Sequence, residues 1–347
     1  WIKPGMVHQR RNSYAPIARR FCIAALLLLV LAACGRPLAL PPATPVVSNW
    51  PGPTAAPALS PTATTRPTAL PVPTSTLAPT ATPIPLPWHF VVLGDTRTSG
   101  LRPPDTTYQI VERARSAQPE VVLTVGDMIN ALDDQASVRE QWRLWREAVA
   151  PLGARHLLVT PGNHDVQGNA WATDLMVEAF PELPSNGPPG FERRTYVVDY
   201  RGVRFISLDS ERFDALHALG DEQLNWLEGQ LRDNPNRYTF VFSHDPAYPV
   251  GPHVGSSLDV YPQDRDRLWQ LLRDYRVTAY ITGHEHLYNH QQIDGVHQLI
   301  AGTSGSFIYG GYGGEFYHYL VGEVGAEGIT IVAYDLEGVE RDRFVLS

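Results

Sequence analysis

The sequence predicts an α/β fold, a four-layer α-β-β-α sandwich of two mixed sheets. Three observations carry this expectation. Short apolar runs alternate with amphipathic helical stretches through most of the body, which favours parallel strand pairing. The stretch after residue 295 reads as mostly strands. Several apolar runs end in glycine followed by Asp, Asn or His, the layout by which an α/β protein builds one site from distant strand ends.

Taken in order, strands are expected at His89–Leu93, Val121–Val125, His156–Thr160, Tyr196–Tyr200 and Val203–Leu208. The next are Tyr238–Phe242, Thr278–Thr282, His297–Ala301, Phe316–Gly322 and Ile329–Tyr334. Between them, Asp105–Ala117 sets Tyr108, Val111 and Ala114 on one helical face. Ser137–Val149 carries Trp142 and Trp145, read as core. Asp221–Leu231 opens on a capping signal and repeats Leu224, Leu227 and Leu231; Arg265–Tyr275 carries Leu268, Leu271 and Leu272.

The first 87 residues have a different composition. Arg10, Arg11, Arg19 and Arg20 precede an apolar core, Phe21–Leu31, too short to span a bilayer comfortably. It closes on Leu31-Ala32-Ala33-Cys34-Gly35. This segment resembles the bacterial lipobox, which implies export, lipidation of Cys34 and attachment to the extracytoplasmic face of a membrane. Residues 35–87 follow as a linker in which 34 of 53 residues are Pro, Thr or Ala. Such a stretch cannot bury a core and is expected to be disordered and extended. Residues 88–347 are expected to form the folded domain.

Charge and cysteine content exclude several function classes. All 36 acidic residues but only 21 of the 28 basic ones lie from Trp88 onward, a formal charge of −15. That field repels polyanions, so no nucleic-acid partner is expected. The two cysteines, Cys22 and Cys34, both precede the body. The body therefore has no disulfide, no thiolate nucleophile and no cysteine metal ligand.

Five segments carry the chemistry: Gly94-Asp95-Thr96-Arg97, Gly126-Asp127-Met128-Ile129-Asn130, Gly162-Asn163-His164-Asp165, Ser243-His244-Asp245-Pro246 and Gly283-His284-Glu285-His286. Asp95 and Asp127 offer hard oxygens, Asn163 an amide oxygen, and His244, His284 and His286 imidazoles. Mixed nitrogen and oxygen donors without sulfur suit Mn, Fe, Zn or Co better than Ca. His284 and His286 face the same way only if their segment is extended.

These segments resemble, in order and spacing, the calcineurin-like metallophosphoesterase superfamily, whose pattern runs D-x-H, G-D-x-x, G-N-H-[DE], a lone H and G-H-x-H. His244-Asp245-Pro246-Ala247-Tyr248 and His286-Leu287-Tyr288 are also similar to the purple acid phosphatase branch, although Asn130 stands where that branch has a tyrosine ligand. The resemblance implies two metal ions. The first would take Asp95, Asp127 and His286; the second Asp127 as a bridge, Asn163, His244 and His284. It also implies that His164 stabilises or protonates the leaving oxygen and that Asp165 orients it.

Arg97 departs from the pattern, which has His there. A guanidinium cannot ligate a cation. Three readings stay open: Arg97 clamps the substrate phosphate through its planar fork, it points away and leaves water to complete a weaker site, or the site is degenerate. The first, with a loosely bound first ion, is the working expectation. The function expected is metal-dependent hydrolysis of a phosphate ester. The rival is a non-catalytic lipoprotein that binds a phosphorylated ligand or metal through a degenerate site.

Seven further histidines, His89, His156, His217, His253, His290, His297 and His318, have no motif around them and are read as structural or surface. Ser243, His244 and Asp245 are contiguous and cannot form a hydrolase triad, whose members converge from separate stretches. The glycine-rich run 302–314 lacks the Lys of a P-loop and reads as a rim or turn.

Overall fold

The computed structural model describes residues 87–346, apart from 133, 168 and 169. The expected signal segment, Cys34 and the linker lie outside the described residues. Along the chain run β1 (Trp88–Leu93), α1 (Asp105–Ala114), β2 (Val121–Thr124), α2 (Gln135–Val149), β3 (His156–Val159), α3 (Asn163–Val166) and α4 (Ala170–Ala179). Next come β4 (Tyr196–Tyr200), β5 (Val203–Ser207), β6 (Glu211–Arg212), β7 (Ala215–Leu216), α5 (Gly220–Arg232), β8 (Tyr238–Phe242), α6 (Pro262–Asp274) and β9 (Ala279–Thr282). The last are β10 (Tyr288–Ile293), β11 (Val296–Ala301), β12 (His318–Val324), β13 (Ile329–Asp335) and β14 (Glu340–Leu346).

Two six-stranded sheets result, ordered β14-β13-β12-β1-β2-β3 and β10-β11-β9-β8-β5-β4. Both are mixed, as expected. In the first, β1, β2 and β3 pair in parallel, while β12 joins β1 antiparallel and leads into a meander. In the second, β5, β8, β9 and β11 are parallel, and β4 and β10 close the edges antiparallel. A parallel set points all its strand ends the same way, so the loops after β1, β2, β3, β8 and β9 gather on one rim.

Strand alternation sorts the second sheet into two faces. Phe205, Phe240, Phe242 and Ile281 point to the core shared with the first sheet, whereas Ile206, Val241 and Tyr280 face α5 and α6. Phe90 of β1 meets Phe205 and Phe240 of the second sheet at 5.6 and 5.1 Å between ring centroids. Gly322 lies opposite Phe90 in the sheet, and a side chain there would run into the ring. Removing so buried a ring costs about 3–5 kcal/mol. Trp142 and Trp145 are buried against Phe180, as expected of core.

The elements that sequence reading missed are β6, β7, β10, β14, α3 and α4. β10 and β14 are edge strands rich in Asn, His, Gln, Glu, Arg and Asp. Charge on an edge discourages strand addition and also erases the apolar signature of a strand.

Candidate metal centre

The loops after the parallel strands bring the five segments together. Asp95, Asp127, His284 and His286 all adopt left-handed backbone, with φ of 52, 54, 70 and 45°. A non-glycine residue in that region costs on the order of 1–3 kcal/mol, and such strain concentrates at functional sites. Gly126 has φ of 90°, and a Cβ there would lie 2.6 Å from His244 Nδ1 and 2.8 Å from the Gly162 backbone. The glycine is what lets Asp127 and His244 approach.

Three imidazoles are held the same way. His244 Nδ1–H donates to the Val125 carbonyl at 2.8 Å, His284 Nε2–H to Ser256 at 2.8 Å, and His286 Nδ1–H to Phe307 at 2.8 Å. A carbonyl only accepts, so each bond fixes the tautomer and turns the other nitrogen's lone pair inward. His244 Nε2 then lies 3.1 Å from His284 Nδ1, 3.1 Å from Asn163 Oδ1 and 3.5 Å from Asp127 Oδ1. Four electron-rich atoms around one point need a cation, and this set fits a divalent metal. Burial favours neutral His244, but Asp127, Asp95, Glu211 and Asp245 outweigh it and raise the ring to about 9. The same field that attracts a proton there attracts a metal ion.

The other expected set also converges. Ligating atoms of Asp95, Asp127 and His286 lie within 4.8 Å of one another. His286 Nε2 is 3.3 Å from Asp95 Oδ1. Arg97 reaches the same place: its Nε–H donates to Asp127 Oδ2 at 2.9 Å. Burial pushes the Asp127 carboxyl up, but His244, His164 and Arg97 together carry it well below the usual carboxylate range.

His164 sits on the first residues of α3. Its backbone N–H donates to Asp127 Oδ1 at 3.0 Å, and its ring Nδ1 has no partner among the described residues. Burial lowers its pKa, which favours the neutral ring. The expectation that Asp165 orients this ring is corrected. Asp165 Oδ1 accepts the Met128 and Ile129 N–H groups, each at 2.9 Å, and Oδ2 accepts Gly162 N–H at 2.8 Å. A carboxylate closing a one-turn helix is drawn to backbone donors, and here it clamps the Asp127 loop to the Asn163 loop.

Several contributors went unforeseen. His253, read as structural, packs against His284 with the rings tilted and their centroids 4.0 Å apart. Burial and the neighbouring His286 lower it to about 4. Its signal in the sequence was position alone, in the loop that follows His244. Glu285, between the two ligand histidines, accepts N–H groups of Val250, Gly251 and His253 at 3.1, 3.0 and 3.3 Å, and so fixes that loop. His217 lies 3.0 Å from Asp245 Oδ2 and 3.4 Å from Glu211 Oε1, both carboxylates being fully buried. Burial opposes its charge, but the two acids raise it to about 10. Asp245 thereby stands behind His284, 3.6 Å from Nε2. That nitrogen already serves Ser256, so His217, Asp245 and His284 form a supporting network rather than another ion site.

The glycine-rich run divides. Ser304 N–H donates to Gly94 O at 2.8 Å and Ser306 N–H to Asp95 O at 2.7 Å, which pins 302–306 beneath the Asp95 loop. Beyond it, Phe307 is 54 % exposed and Tyr309 stacks on His286 with ring centroids 4.9 Å apart. This part forms a rim, as expected.

Two donor sets that share one carboxylate, at the strand ends of an α-β-β-α sandwich, make a candidate two-ion metal centre. The chain belongs to the calcineurin-like phosphoesterase family, whose profile matches residues 89–288. It is 29 % identical over 173 residues to a probable glycerophosphodiester phosphodiesterase GpdQ of Arcobacter nitrofigilis, covering 49 % of this chain and 57 % of that one. It is 31 % identical over 137 residues to the GpdQ of Enterobacter lignolyticus, covering 39 % of this chain and 44 % of that one. The chain thus spans about half the length of these curated relatives. Among solved structures it is similar to purple acid phosphatase PPD1 from yellow lupin, with a TM-score of 0.58 at 17 % identity over 76 % of this chain and 54 % of that one. A dimetal phosphatase from Danio rerio gives a TM-score of 0.58 at 12 % identity over 77 % and 99 %. At these identities the structures speak to the fold, while the family implies a dinuclear divalent metal centre.

Proposed function

We propose that this protein hydrolyses a small phosphate ester with divalent metal held by Asp95, Asp127, Asn163, His244, His284 and His286. The single observation that carries this is the inward convergence of His244 Nε2, His284 Nδ1, Asn163 Oδ1 and Asp127 Oδ1, with both rings locked by carbonyls. When bound, metal ions supply a nucleophile at neutral pH and offset charge on the phosphate oxygens. Mn, Fe and Zn match the sulfur-free donor set.

The chain's own residues do the rest. Arg97 presents a guanidinium beside Asp127, bonded through Nε, and takes a phosphate oxygen through the rest of its fork. His164 donates a hydrogen bond to the leaving oxygen. Asp165 acts by holding the backbone that carries Asp127 and Asn163. His253 and Tyr309 wall the centre together: their ring centroids lie 5.4 Å apart, and 6.5 and 4.9 Å from that of His286. The names of the GpdQ relatives favour a phosphodiester among candidate substrates.

The test is a panel of mono- and diesters assayed after loading with Mn, Fe or Zn. Turnover lost in Asn163→Ala supports the reading. Tight ligand binding without turnover at any metal loading favours the rival, a binding protein. Export and lipid attachment at Cys34 are part of the proposal and rest on the segment Leu31–Gly35. A Cys34→Ala variant should then leave the membrane fraction; unchanged partitioning would remove the anchor.

A further inference from the structure

The two donor sets are unequal, and the cause is the shared carboxylate. Asp127 Oδ1 faces His244 Nε2 at 3.5 Å and accepts the His164 N–H at 3.0 Å, so it belongs to the second set. Oδ2 is the oxygen left for the first set, and it accepts Arg97 Nε–H at 2.9 Å. Arg97 is not a loose surface side chain that happened to land there. Its own N–H donates to Asp127 O at 2.9 Å, its carbonyl accepts the Ser306 hydroxyl at 3.1 Å, and its side chain is 13 % exposed. Backbone and side chain together fix the guanidinium on Asp127.

Charge points the same way. A guanidinium brings a full positive charge. Asp95 and Asp127 are the carboxylates among the inner donors. One divalent ion in the second set plus the guanidinium already exceeds their charge. A second divalent ion would sit among Asp95, Asp127 and His286, against a fixed cation, with one oxygen of Asp127 already engaged. That ion has three protein donors, one of them already engaged by the guanidinium through the oxygen left for it; the other has four donors.

We propose that Arg97 stands in the place of the first ion. The protein retains one tightly held divalent ion on Asp127, Asn163, His244 and His284, and the Arg97 guanidinium supplies the second positive charge. This rests on the phosphoesterase reading, which names the metal-binding residues, and it concerns how many ions they keep.

The experiment uses the full chain loaded with excess Mn2+, passed through gel filtration, and counted by elemental analysis and electron paramagnetic resonance. Wild type should keep one equivalent, with the spectrum of an isolated Mn(II). Arg97→Ala keeps all three donors of the first set and removes only the guanidinium. It should retain a second equivalent at least about tenfold more tightly, with a spin-coupled spectrum. Arg97→His, which adds a donor, should do so more strongly, and Arg97→Lys, which keeps the charge, should stay at one equivalent. Thermal melts check that each variant folds. Two tightly held, spin-coupled ions in wild type would overturn the proposal. So would an Arg97→Ala protein whose second ion binds no more tightly than in wild type, since a missing ligand alone would then explain the weakness. The same preparations, assayed on a phosphodiester, separate the two ideas. Turnover with one or with two ions leaves the function intact, whereas no turnover at any loading removes the function and leaves the ion count standing.

Discussion

The first sheet supplies oxygen and the second supplies nitrogen. Asp95, Asp127 and Asn163 follow β1, β2 and β3; His244, His284 and His286 follow β8 and β9. Each sheet also fixes the other's donors. Val125, after β2, accepts from His244, while the His284 backbone N–H donates to both Asp95 oxygens, at 3.2 and 3.0 Å. The centre therefore belongs to the seam of the sandwich. Neither half contains a complete donor set, and each orients donors of the other as well as some of its own.

The largest effects should come from cutting a donor on either side. Asn163→Ala on the oxygen side and His244→Ala on the nitrogen side should each lower kcat/KM more than a hundredfold. That exceeds the roughly 10- to 100-fold typical of losing an outer partner. Both should also lose bound metal. If elemental analysis found Asn163→Ala still fully loaded and active, the oxygen side would be dispensable and the comparison would break. His164→Ala should cost about a hundredfold or more on an alkyl ester, the scale of a lost hydrogen bond to developing charge. A p-nitrophenyl ester, whose leaving group needs little help, should suffer far less. Equal losses on both esters would remove His164 from the leaving oxygen.

A smaller effect tests how the nitrogen side is supported. Glu285→Ala frees three backbone N–H groups that hold the loop of His253. We expect roughly a tenfold loss, mostly in KM, with both ligand histidines intact, which is the low end for an outer partner. Unchanged kinetics would mean that the loop is held by its other bonds, such as Ser257 Oγ to the His253 carbonyl.

Donors were easier to read from sequence than supports. Asp95, Asp127, Asn163, His244, His284 and His286 follow apolar runs and glycines, because chemistry and backbone strain both demand it there. Asp165, Glu285 and Asp245 also lie in these motifs, yet their partners are backbone N–H groups or a distant His217. Any carboxylate fits such a role equally well in a string of letters, and only loop geometry chooses. Arg97 could be seen as a misfit, but its bond to Asp127 Oδ2 depends on the backbone that pairs residues 96 and 97 with Asp127. The parallel core strands were legible because they are apolar; β10 and β14 were not, because edges are polar.

One buried histidine on each side sharpens the contrast furthest from catalysis. His244 and His318 are both fully buried, yet His244 is raised to about 9 and His318 lowered to about 4. The difference lies in their neighbours. Carboxylates ring His244 and overcome its burial. Burial dominates His318, whose Nδ1 donates to the Phe316 carbonyl at 3.1 Å while Nε2 has no partner among the described residues. Between pH 6.5 and about 4 the unfolded chain takes up a proton that the fold refuses at His318. Stability from this residue is thus full above pH 6.5 and is lost as pH falls toward 4, by about 3 kcal/mol in all. Urea midpoints measured from pH 4.5 to 7.5 should show this slope in wild type and a shallower one in His318→Phe, whatever the variant's absolute stability. Parallel slopes would mean that His318 accepts its proton within the fold, and that burial in the first sheet is less exclusive than the second sheet's charged rim makes it look.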